Sequence, residues 1–131
     1  MKFSHSDILS YFFNGNKVVY EKIKECIEAD KKLATTCINS YEILKGLKYR
    51  SAQTKENKFK EVLQYLDVIY LDNSSIEIAS DIYSSLRKSG VTISDADILI
   101  ASIVISKEGT FITNNLKHYV NIKGLTIEQW I

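Results

Sequence analysis

Polar side chains that could bind a divalent cation stand at several points where an apolar, strand-like run passes into a helical one. They are His5 with Asp7, Glu42, Asp95 with Asp97, and Asn115. In a chain that alternates strands and helices, such transitions fall at one edge of the sheet, so residues far apart in sequence could share one pocket. Converging carboxylates hold Mg²⁺ or Mn²⁺, and metal held in this way often promotes phosphodiester hydrolysis. His5 is the exception: it could be a structural histidine, or a metal ligand that would shift the site toward Mn²⁺ or softer metals.

Each acid also has an ordinary structural explanation. Asp7 precedes an apolar helical run and could cap it. Glu42 follows Asn39, and Asp97 follows Ser94, at the spacing of a capping box. Acids in a first helical turn are in any case favoured by the helix dipole. Taken one at a time, these residues are more typical of helix caps than of a catalytic site.

The number of such transitions favours a shared site. Acids stand at three of them and the amide of Asn115 at a fourth, although Asn115 alone would be read as a turn residue. Asp95 and Asp97 are two positions apart on a helix and cannot point the same way, so we expect Asp97 to face the pocket. Asp72 also follows a strand-like run, but the polar turn after it favours a capping role. His118 is expected at the surface, or in contact with a phosphate or with RNA.

Composition indicates one ordinary globular domain. The 131 residues are 45% hydrophobic and 25% charged, with a formal net charge of +1 that gives no general attraction for a polyanion. We therefore expect a single domain over residues 1–131. Two cysteines suggest no disulfide framework, and the longest strongly apolar stretch, 98–105, is far too short to cross a membrane. We expect a cytoplasmic protein without membrane contact.

The order of apolar patterns predicts the architecture. Short strand-like runs alternate with segments that repeat apolar residues at helical spacing. The predicted strands are 2–4, 33–37, 68–71, 110–113 and, at one edge, 125–127. One helix is predicted to begin at a capping box from Ser74 to Glu77 and to end at Gly90, and the most apolar helix is predicted over 95–107. This alternation predicts a three-layer α/β/α fold around a parallel sheet of four or five strands.

Four short motifs occur in an order that is more informative than any one of them. They are Ser4-His5-Ser6-Asp7, Glu42-Ile43-Leu44-Lys45-Gly46, Asp97-Ile98-Leu99-Ile100-Ala101 and Thr113-Asn114-Asn115. In this order, and over essentially the whole chain, they resemble the motifs of PIN-domain proteins, specifically the VapC-type toxin ribonucleases of toxin–antitoxin pairs. His5 stands where that family carries its first metal-binding Asp.

The resemblance implies a Mg²⁺- or Mn²⁺-dependent endoribonuclease with a PIN-like fold. It implies that the catalytic residues are Asp7, Glu42, Asp97 and Asn115. Glu42 and Asp97 would hold the metal, and His5 occupies the place of a further ligand. Asp95 and Thr113 would support the ligands or face the RNA. The implied partners are an RNA substrate, a cognate antitoxin that obstructs the site, and a second copy of the chain in a homodimer.

Three functional interpretations stay open at this point. The histidine removes a negative charge from a site for a hard cation, so the chain could be a weakened enzyme or one with an altered metal preference. Alternatively, it could be a PIN module that binds RNA or an antitoxin without cleaving. A receiver-like signalling domain with Asp72 as phosphate acceptor is the third, but it needs an acid pair at the first strand end, which His5 and Asp7 supply poorly.

Overall fold

The central feature of the structure, a computed structural model that describes all residues 1–131, is a sheet of five parallel strands. The strands are β1 (Lys2–Ser4), β2 (Leu33–Thr36), β3 (Asp67–Ile69), β4 (Thr110–Ile112) and β5 (Thr126–Glu128). Their order across the sheet is β3-β2-β1-β4-β5, so β1 lies in the middle, with Phe3 paired to Ala34 and to Phe111. All five predicted strands are confirmed, including the edge strand.

Seven helices connect and cover the strands. They are α1 (Ser6–Phe13), α2 (Lys17–Glu28), α3 (Cys37–Tyr49), α4 (Gln53–Leu63), α5 (Asn73–Lys88), α6 (Asp95–Ser106) and α7 (Leu116–Tyr119). None of them combines the length and the apolarity that a membrane-spanning helix needs.

Two helix starts differ from the sequence prediction. Helix α3 begins at Cys37, because the Thr36 hydroxyl accepts a hydrogen bond from the Asn39 N–H and caps the helix there. The predicted capping box of Asn39 and Glu42 is therefore wrong. Helix α5 begins at Asn73, where Asp72 and Ser75 form the capping box, two residues before the predicted Ser74–Glu77 pair. The capping role expected for Asp72 is confirmed.

Alternate residues of the strands point into two separate cores, which makes the fold three-layered. On one face, Phe3, Ala34 and Phe111 pack with the buried residues of α5 and α6. On the other face, Leu33 and Ile112 pack with residues of α1 and α2. A smaller cluster of Leu9, Leu47 and Phe59 joins α1 to α3 and α4. The predicted α/β/α architecture is thus confirmed.

One close approach fixes the start of β4 against β1. Gly109 lies so near the Phe3 ring that a Cβ atom on it would be 2.5 Å from Phe3 Cε2. Only glycine fits at this position without displacing a fully buried ring.

Candidate functional site

An open pocket of about 530 Å³ lies at the edge of the sheet where the strands end. Its polar lining includes His5 and Ser6 after β1, Glu42 on α3, Asp97 on α6, and Asn115 and His118 after β4. Parallel strands bring these four chain segments together, as the sequence predicted. Three other predicted site residues do not line the pocket: Asp7, Asp95 and Thr113.

The Asp97 carboxylate has two different partners. Its Oδ1 accepts a hydrogen bond of 2.8 Å from the Tyr119 hydroxyl, and its Oδ2 lies 3.2 Å from Nδ1 of His118. The Asp97 N–H donates to the Ser94 hydroxyl, so Ser94 caps α6 and the Asp97 carboxylate is left for other contacts. Asp95, two residues before it, is exposed at the helix start and makes no side-chain hydrogen bond or ion pair.

The Glu42 carboxylate is held from the β1–α1 junction. Ser6 donates to Glu42 Oε1 over 3.1 Å, and the Ser6 oxygen accepts a bond of 2.9 Å from the side-chain amide of Asn39. Asn39 is fully buried, and its amide oxygen accepts from the Thr36 hydroxyl over 2.8 Å. A chain of three polar side chains therefore fixes Glu42 from the interior.

His5 is only 7% exposed, and both of its ring nitrogens are engaged. Nδ1 lies 2.9 Å from Asp7 Oδ1, and Nε2 lies 3.2 Å from the Tyr119 hydroxyl. Since the Tyr119 proton is directed to Asp97, the tyrosine oxygen is left to accept from Nε2, while Nδ1 faces the Asp7 carboxylate. Both ring nitrogens are therefore engaged by protein partners, and neither is free to bind a metal.

Asp7 is turned away from the pocket toward the loop after β4. Its Oδ2 accepts from the Asn114 N–H over 2.8 Å and from the Thr113 hydroxyl over 3.3 Å. Burial raises the pKa of this carboxyl, but the hydrogen bond and charge of His5 and the N–H groups of Asn114 and Ile8 outweigh it, so the pKa lies below its usual value. His5 rather than Asp7 occupies the N-cap position of α1, and Asp7 links α1 to β4.

Thr113 is a buried support within the same loop. Its hydroxyl lies 3.2 Å from His5 Nδ1 and accepts a bond of 3.0 Å from the Asn115 N–H. It therefore helps to set the position of Asn115 at the pocket without reaching the pocket itself.

Tyr119 was not singled out from the sequence, yet it connects His5 to Asp97. Burial raises the pKa of its hydroxyl, and the negative charges of Asp97, Glu42 and Asp7 raise it further. The hydroxyl therefore stays protonated and acts as a donor. Ser6 and Asn39 were also missed as members of the site. The hydrogen-bond partners of a hydroxyl or an amide are set by tertiary packing, which the sequence does not show.

The donor set fits a hard divalent cation in part. No group of three His, Cys, Asp or Glu side chains is placed to form a complete metal cage. Mg²⁺, however, is commonly held by one or two carboxylates, with water and substrate phosphates completing its coordination. Glu42 and Asp97, with the amide oxygen of Asn115, suit that mode of binding. His5 does not suit it, because neither ring nitrogen is free.

Comparison with known proteins gives a consistent picture. A model of the PIN domain matches residues 6–122. Ribonuclease VapC1 of Methanocaldococcus jannaschii is 34% identical over 96 residues, which are 72% of this chain and 68% of the relative. Ribonuclease VapC2 of Rickettsia felis is 25% identical over 126 residues, which are 95% and 94% of the two chains.

Solved structures share the fold over nearly the whole chain. The crystal structure of VapBC2 from Rickettsia felis, bound to a DNA fragment from its promoter, superposes with a TM-score of 0.92 at 23% identity and covers 99% of this chain and 98% of that one. DNA-bound VapBC from Salmonella typhimurium gives a TM-score of 0.88 at 19% identity, with coverage of 99% and 98%.

Proposed function

The chain belongs to the PIN-domain family, and we propose that it is a metal-dependent endoribonuclease, the toxin of a toxin–antitoxin pair. One observation carries the proposal: Glu42, Asp97 and Asn115 line a single open pocket at the edge of the sheet. The two relatives are named ribonucleases, and the solved structures of similar fold are VapBC complexes, which supports both the activity and an antitoxin partner.

Glu42 and Asp97 would hold Mg²⁺ or Mn²⁺, which when bound would activate water and stabilise charge on the phosphate. Asn115, which also lines the pocket, would orient the water or the phosphate. Arg50 and Lys55 also line the pocket and would attract the RNA backbone. Asp7 and Thr113 would act from the interior, by fixing the loop that carries Asn115.

Residues at the exposed side of the pocket would contact the partners of the protein. His118 lines it beside Asp97 and would contact an RNA phosphate, and Asp95 would face the RNA. The antitoxin would obstruct the opening, and two copies of the chain would form a homodimer. The protein would act in the cytoplasm, where its RNA substrate is found.

Asp97→Asn tests the activity. The substitution removes the charge of one metal ligand and keeps an oxygen that can accept the Tyr119 hydrogen bond, so RNA cleavage in Mg²⁺ or Mn²⁺ should fall to background while the circular dichroism spectrum stays unchanged. Asp81→Asn, on the exposed face of α5, is the matched control and should cleave like the wild type. Undiminished cleavage by Asp97→Asn would refute the proposal.

A second candidate is supported by the engagement of both His5 nitrogens. With no acid at position 5, the pocket could bind RNA or a basic side chain of the antitoxin without cleaving RNA. His5→Asp distinguishes the two candidates. If the wild-type chain does not cleave RNA and His5→Asp does so in Mn²⁺, then the chain as it stands is a binding module.

A further inference from the structure

We propose that His5 and Tyr119 are positioning residues that together fix the orientation of the Asp97 carboxylate in the pocket. This role affects catalysis only if the proposed function holds, so the inference rests on that function. Neither residue acts on substrate in this scheme. They set which oxygen of Asp97 faces the pocket.

The tyrosine is held rigidly enough for this role. Tyr119 has no exposed surface, and its ring packs edge-on against Phe111, with 4.9 Å between the ring centroids, and against His5, with 5.6 Å. Helix α7 is only four residues long, so this packing, more than the helix itself, fixes the hydroxyl. The hydroxyl is therefore an immobile donor aimed at Asp97.

The hydrogen bonds run in one direction along the chain of side chains. The single proton of the Tyr119 hydroxyl goes to Asp97 Oδ1 at 2.8 Å, and the hydroxyl oxygen accepts from His5 Nε2 at 3.2 Å. His5 is itself held at Nδ1 by Asp7. Asp97 Oδ1 is thus tied to the interior through three buried or half-buried side chains.

The other oxygen of Asp97 is left for the pocket. Its only side-chain partner is His118, whose side chain is half exposed at the pocket. Asp97 therefore presents one oxygen to a cation, at an angle that Tyr119 determines. Glu42 is arranged in the same way, since Ser6 ties its Oε1 to buried Asn39. Each of the two pocket carboxylates is thus oriented by a hydroxyl group that buried residues hold in place.

Tyr119→Phe removes the hydroxyl and keeps the packed ring. Partners of metal ligands typically contribute about 10- to 100-fold to metal affinity, so the Kd for Mn²⁺, measured by calorimetry on the full chain, should rise by about that factor. Tyr70→Phe, at an exposed tyrosine outside the pocket, is the matched control and should leave the Kd unchanged. An unchanged or lower Kd for Tyr119→Phe would overturn the inference.

The part played by His5 is tested by non-additivity. His5→Asn keeps a polar group near Asp7 but cannot reach Tyr119. It should weaken Mn²⁺ binding in the wild-type background and have little further effect in the Tyr119→Phe background. Equal effects of His5→Asn in the two backgrounds would show that His5 does not act through the tyrosine hydroxyl.

A metal-free measurement separates this inference from the proposed function. Tyr119→Phe should lower the urea midpoint of unfolding, and this shift should shrink in an Asp97→Ala background, where the hydroxyl has no carboxylate to bind. If the wild-type chain binds no Mn²⁺, the metal-dependent function fails, and this cycle still decides the inference. Identical shifts in both backgrounds would overturn it.

Discussion

The Asp7 carboxylate should be a major determinant of stability, although it does not line the pocket. It receives the Asn114 N–H at 2.8 Å, the Thr113 hydroxyl at 3.3 Å and His5 Nδ1 at 2.9 Å. These contacts join the start of α1 to the loop that follows β4, two segments that are more than a hundred residues apart in sequence. Asp7→Asn removes the charge with almost no change in shape.

The expected loss follows from the hydrogen bonds. A hydrogen bond to a charged group contributes about 1.5–3 kcal/mol to stability, and a neutral one about 0.5–1.5 kcal/mol. An asparagine can still accept from the Asn114 N–H, but that bond becomes neutral, and its amide lacks the charge that pairs with His5. Asp7→Asn should therefore lower the free energy of unfolding by about 2–3 kcal/mol near neutral pH.

The loss should also depend on pH, with a definite sign. The pKa of Asp7 lies below its usual value of 3.8 in the folded chain. A carboxyl with a lowered pKa contributes stability above its unfolded value, and this contribution disappears as the pH falls through the folded value. The difference between the wild type and Asp7→Asn should be present near neutral pH and should shrink as the pH falls below about 4.

Urea unfolding followed by fluorescence gives the assay, because the chain has a single tryptophan, Trp130, which is buried. Asp81→Asn, at an exposed position on α5, controls for the change of an acid to an amide. If Asp7→Asn and Asp81→Asn unfold at the same urea concentration near neutral pH, the contacts of Asp7 do not stabilise the fold. A loss that persists undiminished in acid would mean that the charge is not its cause.

Three further substitutions, the first with a comparison variant, test the packing and one helix cap. Gly109→Ala should cost about 1–3 kcal/mol through overpacking against the Phe3 ring, measured by urea unfolding, whereas Gly90→Ala, where a Cβ meets no neighbour, tests backbone strain alone. Phe59→Ala should cost about 3–5 kcal/mol, because its fully buried ring fills the cluster that joins α1, α3 and α4. Asp72→Ala should lower the melting temperature by less than Phe59→Ala does, since it removes the bond from the Ser75 N–H that caps α5 and an exposed ion pair with Lys107.

The layered fold could be predicted because its signals are local. Strands such as 33–36 are short runs of buried residues, and α6 buries six of its residues, so that each element carries its own pattern. Because strand and helix patterns alternate along the chain, few fold topologies are possible. In a parallel sheet all strands end at the same edge, so the location of the site could be predicted as well. Glu42, Asp97 and Asn115 were therefore grouped correctly in one pocket, although nothing in the sequence gives their separations.

Helix starts were harder to predict because several residues compete for each cap. Thr36 caps α3 from the last position of a fully buried strand, where its β-branched side chain is equally typical of the strand itself. In the structure Asp72 caps α5, whereas the prediction placed the cap at Ser74, and both side chains have the necessary oxygen. The choice depends on where the strand before the helix stops, and sheet pairing determines that point.

His5 shows most clearly why the chemistry of the site needed the structure. Its position at the end of β1 was predicted, and the sequence left open whether it is a structural histidine or a metal ligand. The structure gives both ring nitrogens other partners: Tyr119, which is 114 positions away, contacts one, and Asp7 contacts the other. With His5 engaged in this way, Glu42 and Asp97 are the two acids that line the pocket, and they leave most of the coordination of a divalent cation to other ligands. Any metal bound here should depend more on the RNA phosphates for its remaining ligands, and metal affinity should therefore rise when RNA is present.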